Sequence, residues 1–178
     1  MYNTIKSFAQ DDFIGKGSPS KDGICYYLCN YIDEKLWISL KDYEEGKQKA
    51  RDFIPLNAIN YAKAQNLLYE QIDDGYDNTI ELKENNLYRM RFFIKDEDTV
   101  VSYDDDGNPK ANHEVIFITG ANRILLFDPN VGFLEFVGLN ILNVMSDLKG
   151  IYNCEEVRTF GVRRIRSITA CNPLGFVR

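Results

Sequence analysis

Apolar residues recur every four positions at Ile24, Leu28, Ile32 and Leu36. That spacing predicts a helix from about Gly23 to Leu40 with this stripe buried. Asp22 stands where its N-cap would fall, after a loop made from Gly15, Gly17, Ser18, Pro19 and Ser20. Residues 1–22 as a whole read as a polar leading segment. Lys41 to Arg51 is charged and predicts a short helix or loop. Asn57 to Ile72 predicts a further helix, with Ala58, Ala62, Leu67, Leu68 and Ile72 as inner positions and Asp73-Asp74-Gly75 as its stop.

The pattern then turns to short β-like runs. Thr79 to Lys83 and Tyr88 to Ile94 are candidate strands, followed by a polar, acidic loop from Lys95 to Asn112. His113 to Ile118 and Arg123 to Asp128 predict two strands joined by a turn at Thr119-Gly120-Ala121-Asn122. Leu134 to Val137 predicts a third. Leu139 to Leu148 predicts a helix ended by Gly150, and Val157 to Ile168 a late strand. Helices first and mainly antiparallel strands after them indicate an α+β fold. There is no internal repeat, and the whole of 1–178 suits one domain.

Composition narrows the function classes. The chain has 178 residues, 44% of them hydrophobic, too many for disorder. Its 21 basic and 27 acidic residues give a net charge of −6, a poor footprint for nucleic acid or for an anionic membrane surface. No run approaches the roughly 18 apolar residues of a spanning helix, and Met1 to Asp12 lacks the marks of a Sec-type signal peptide. The acidic run Asp104-Asp105-Asp106-Gly107-Asn108 fails as a calcium loop, because the frame that places Gly107 correctly puts Ser102 first and His113 last. No metal and no cofactor is expected. Of the four cysteines, Cys25, Cys29, Cys154 and Cys171, none forms a C-x-x-C pair. The single histidine, His113, must serve any mechanism that needs imidazole.

Counting back from a turn in which Thr119 faces Asn122 places His113 directly opposite Asp128 on the neighbouring strand, close enough for a carboxylate to hold one imidazole nitrogen. Cys25 lies in the first turn of the predicted helix, where unpaired N–H groups favour a thiolate. A cysteine at a helix start with an Asp-oriented histidine is the general arrangement of a thiol nucleophile. Gly23 would let a substrate backbone approach the sulfur. Each element also has an ordinary reading: Cys29 is expected to be inert core, and Asp128-Pro129-Asn130 is also a common turn in which the aspartate caps its own backbone.

Taken together, Gly23-Ile24-Cys25, then His113, then Phe127-Asp128-Pro129-Asn130-Val131-Gly132 before Phe133-Leu134-Glu135-Phe136 resemble the YopT/AvrPphB family of bacterial effector cysteine proteases. The F-D-P-N-x-G signature matches at all five fixed positions. The resemblance implies a papain-like fold, with Cys25 as nucleophile, His113 as general base and Asp128 as orienting acid. Trp37 resembles a position where the family tends to carry a tryptophan, and is expected to serve packing. The resemblance further implies a thiol endopeptidase of effector, virulence or toxin type, secreted by a non-Sec route into a target-cell cytosol to act on a protein there. A cytoplasmic location is the alternative. Two departures stand out. The six residues before Gly23 contain no glutamine or asparagine, so the second oxyanion donor stays open among Ser20, Lys21 and Gln10, beside the Cys25 backbone N–H. Glu114 puts a charge directly after the histidine. A papain-like glutamine deamidase or acyltransferase would use the same triad, and a catalytically silent interaction domain is the alternative from another class.

Overall fold

The computed structural model describes residues 1–14, 24–71, 75–95, 102–154 and 156–168, with backbone only at 156 and 158–160. Its strands are β1 (Tyr2–Ser7), β2 (Asn86–Lys95), β3 (His113–Gly120), β4 (Arg123–Asp128), β5 (Gly132–Val137) and β6 (Glu156–Ser167). They form one antiparallel sheet in the order β1-β5-β4-β3-β2-β6. The helices are α1 (Asp11–Ile14), α2 (Ile24–Tyr31), α3 (Tyr43–Arg51), α4 (Pro55–Leu68) and α5 (Ile141–Tyr152). The mixture of helices with an antiparallel sheet is the expected α+β class. Among the described residues, no helix is long and apolar enough to cross a membrane.

The central strands are buried on both faces, so they read as nearly unbroken apolar runs. Ile116, Ile118, Leu125 and Phe127 face a core shared with α2, α3 and α4. Val115, Phe117, Ile124 and Leu126 face a second core closed by Val144, Met145 and Leu148 of α5. Trp37 is fully buried in the first core, edge-on to Phe133, and its indole N–H donates to the Gly46 carbonyl at 3.0 Å.

Several sequence expectations are corrected. The leading segment 1–22 is not merely polar lead-in. Tyr2–Ser7 pairs with β5 as an edge strand, largely exposed and therefore polar, and Phe8 then enters the core. The first helix stops short of Leu40: it widens into a π-helical turn over Ile32–Leu36, closed by Trp37 N–H on the Ile32 carbonyl. Arg166 donates to the Asp33 and Trp37 carbonyls there, which caps that end. Ile24, Leu28 and Ile32 are buried as expected. Leu67 and Leu68 are exposed, because each follows a buried residue, Ala58 or Ile59, by about two and a half helical turns and so lies on the opposite face. Ile72 and the stop at Asp73-Asp74 lie outside the described residues. Thr79–Lys83 is no strand; Asp77 instead takes the Thr79 N–H and hydroxyl in a local turn. Gly150 does not end α5, which runs on to Tyr152 and stops at Asn153 in the left-handed conformation.

The joint between α2 and the sheet is polar. Arg89 of β2 is buried beneath α2, paired with Glu114 of β3. Its other donors reach Asn30 and, at 2.9 Å, the Tyr26 carbonyl of α2, and its guanidinium lies 4.6 Å from the Tyr26 ring centre. Arg91 at 3.0 Å and the Tyr76 hydroxyl at 2.8 Å complete the shell around Glu114. The charge after the histidine is thus the counter-ion of a buried arginine. Glu114→Gln should leave that arginine buried without its anion and reduce stability by about 3–5 kcal/mol. Urea unfolding should read this loss. Arg89→Met with Glu114→Leu should lie closer to wild type than either single change; equal loss in all three would deny the pairing.

Candidate functional site

The site begins with a two-residue hairpin. Gly120 pairs with Arg123, so the turn is Ala121-Asn122, with Asn122 at φ 56°. The register thus differs by two residues from a turn in which Thr119 faces Asn122, and His113 does not lie directly opposite Asp128. Ile116 pairs with Phe127, and one further step brings Asp128 across from Val115. A shift of one residue would have sent the two side chains to opposite faces, whereas a shift of two keeps them on one face as diagonal neighbours. His113 Nε2 and Asp128 Oδ1 are accordingly 2.7 Å apart.

The chain after Asp128 is held as tightly. Asp128 Oδ1 also accepts the Asn130 backbone N–H at 2.9 Å, and Val131 N–H closes the turn on the Asp128 carbonyl. Asp128 therefore caps its own turn and holds the histidine at once. From the other side, Phe8 N–H donates to the Val131 carbonyl and Gln10 N–H to the Pro129 carbonyl. This crossing accounts for the final glycine of the signature. Gly132 has φ 112°, and a Cβ there would lie 2.2 Å from the Lys6 carbonyl oxygen.

Cys25 arrives from α2, whose first six residues are all buried. Its thiol is within hydrogen-bonding contact of the His113 side chain. With Nε2 engaged by Asp128, Nδ1 is the ring nitrogen left to address the sulfur. Cys29, one turn on, bonds to the Glu114 carbonyl, and burial pushes its thiol well above the ordinary value. Cys25 is 7% exposed, His113 5% and Asp128 fully buried. Burial works against charge on His113, but the Asp128 carboxylate, through its field and hydrogen bond, and the Cys25 contact outweigh it and push the ring up to about 10.

Of the residues picked from the sequence, the structure thus brings Cys25, His113 and Asp128 together. Gly23, Ser20 and Lys21, like the cap Asp22, lie outside the described residues. Gln10 is buried on the Asp128 side of the site, where its amide nitrogen donates to Asn130 Oδ1 at 2.6 Å. The acidic loop closes on itself, with Asp104 Oδ1 accepting the N–H groups of Asp106 and Asn108. The residue missed is Tyr152, whose hydroxyl reaches Asp128 Oδ2 and lies 3.1 Å from His113 Nε2. Val144 and Leu148 lead to it along one helix face at four-residue spacing. Reading Gly150 as a stop hid it.

In comparisons with known proteins, the chain matches no family model, no curated protein and no solved structure.

The raised His113 value makes a stability prediction. An unfolded histidine titrates near 6.5, roughly. The folded state binds the proton more tightly, so this contribution is complete below that pH and is lost as pH rises through about 10. Between those limits the Tm of wild type should fall more steeply than that of His113→Gln. Parallel Tm curves would show that the imidazolium is not held by Asp128.

Proposed function

We propose that the protein is a papain-like thiol protease of the YopT/AvrPphB type, with Cys25 as nucleophile, His113 as base and acid, and Asp128 as orienting carboxylate. The observation that carries this reading is the imidazole of His113, bonded to Asp128 through Nε2 and in contact with the Cys25 thiol. A base held in one orientation by a buried carboxylate, beside a thiol at the start of a helix, is what nucleophilic acyl transfer needs. The F-D-P-N-x-G run supports it as well, since Asn130 and Gly132 each have a structural task beside Asp128.

In this mechanism the Cys25 proton passes to His113. The thiolate attacks the substrate carbonyl, and the electron pair moves to oxygen, where the Cys25 backbone N–H is one donor. The imidazolium then protonates the leaving amine as the C–N bond breaks. A water, deprotonated by His113, releases the acid and restores the thiol. The substrate is a protein, and the site of action we propose is the cytosol of a target cell, reached by a non-Sec route.

Incubation of wild type and Cys25→Ala with a cell lysate, followed by mass spectrometry of the proteins, tests the reaction. New peptide termini that depend on Cys25 are expected. A mass gain at glutamine would replace the protease with a deamidase, and identical profiles would remove the enzymatic reading. Asp128→Asn keeps size but presents an N–H that favours the wrong imidazole tautomer. With any substrate so found, kcat/KM should fall on the order of 10²-fold, less than the roughly 10⁴ of a serine triad because a thiol is intrinsically more acidic. Undiminished activity would reject Asp128 as the third member.

A further inference from the structure

Tyr152 is the last residue of α5, and its hydroxyl has three polar neighbours: Asp128 Oδ2, His113 Nε2 at 3.1 Å and Asn130 Nδ2 at 3.4 Å. It has one proton to give. The Asn130 amide nitrogen can only donate, so the tyrosine oxygen accepts there. The Asp128 carboxylate can only accept. His113 Nε2 carries its own proton toward Asp128 Oδ1. The tyrosine proton is therefore directed at Asp128 Oδ2. Asn130 is oriented in turn by Gln10, so a chain of donors runs Gln10, Asn130, Tyr152, Asp128.

The two carboxylate oxygens are not served equally. Oδ1 takes His113 Nε2 and the Asn130 backbone N–H. Among the described residues, Oδ2 takes Tyr152 alone. Asp128 is fully buried, so nothing in solvent replaces that donor.

We infer that Tyr152 is a positioning residue of the site: its hydroxyl, oriented by Asn130, fixes the Asp128 carboxylate against the His113 ring and draws off part of the charge that the ring would otherwise meet. The inference rests on the reading of Cys25, His113 and Asp128 as the catalytic group, and it adds a fourth side chain from a helix on the opposite face of the sheet to Cys25. Burial and the neighbouring carboxylate hold the Tyr152 hydroxyl protonated well above its ordinary range, so the donor persists wherever the enzyme would work.

The sign of the effect follows. A hydrogen bond to the carboxylate lowers its affinity for a proton and so weakens its grip on the imidazolium. Removing the hydroxyl should raise the His113 pKa; strengthening the donor should lower it. The titratable and charged groups facing the ring among the described residues are Cys25 from α2, Asp128 from β4 and Tyr152 from α5. β2 contributes only the Phe92 ring, edge-on at 5.2 Å.

His113 is the only histidine, so its titration can be followed by NMR of ¹⁵N-histidine-labelled full chain without ambiguity. A Cys25→Ala background removes the thiol from the coupling. Tyr152→Phe should raise the His113 pKa by about half a unit or more. A fluorotyrosine placed at 152, which keeps the shape but donates more strongly, should lower it, and it decides the matter if Tyr152→Phe fails to fold. Asp128→Asn should lower it further still. Asp128→Asn lowering the pKa while the Tyr152 changes leave it unmoved, or move it in one common direction, would overturn the role of Tyr152 alone. A pKa that ignores Asp128→Asn would overturn the catalytic grouping and this inference with it.

Discussion

The buried Arg89 of β2, paired with Glu114 of β3, ties α2 to the sheet, and with it the place where Cys25 meets His113. Arg89 is buried, so each of its donors must find an acceptor within the protein. Glu114, the Tyr26 carbonyl and Asn30 supply one for each guanidinium nitrogen, two from α2 and one from β3. Sliding α2 by one residue would strip Arg89 of both helix partners at once. Such a pair contributes little net stability over a well-packed apolar substitute. What it contributes is position. Cys25 precedes Tyr26, and His113 precedes Glu114, so the two anchored residues each lie next to a residue of the candidate site in the chain. The same constraint fixes the helix start and the strand start together.

Asp128 resolves a conflict between two readings of one motif. An aspartate before Pro-Asn is an ordinary turn cap, and here it is one, through the Asn130 N–H. The same oxygen accepts from His113, and the other from Tyr152. The turn is therefore the device that aims the carboxylate, and structural and chemical roles reside in a single side chain. The backbone of residues 8–10 buttresses this turn, which requires glycine at 132. A strand at the very start of the chain thus braces the residue that holds the histidine.

The sequence made the pairing of His113 with Asp128 legible for a reason more robust than the register used to find it. Strand residues alternate between faces, so only the parity of the offset decides whether two side chains share a face. The turn was misplaced by one residue, which shifts the register by two, and the pairing survived. The helix carrying Cys25 was legible because its apolar stripe continues for three turns. Tyr2–Ser7 was not, because an edge strand held by backbone bonds needs no apolar pattern and reads as polar chain. Tyr152 was not, because a glycine near a helix end was taken as its stop, although glycine also occurs inside helices at modest cost. Glu114 looked misplaced because its partner, Arg89, is distant in sequence and adjacent only across the sheet.

The direction of the His113 shift bears on how the proposed reaction would start. Burial of a ring next to a thiol and an aromatic neighbour would by itself favour the neutral imidazole. The buried carboxylate, with the Cys25 contact, reverses that and pushes the ring up to about 10. A proton passed from Cys25 to the ring is then kept beside the sulfur until the leaving amine requires it. An amide nitrogen is a poor leaving group until it is protonated, so an acid in place suits amide cleavage better than a base alone would. A carboxylate left with bare lone pairs would hold that proton more tightly. The donors around Asp128, from the Asn130 backbone and from Tyr152, temper its charge. The carboxylate raises the ring's hold on its proton and those donors reduce it, so the balance between them would set the working range of the proposed acid.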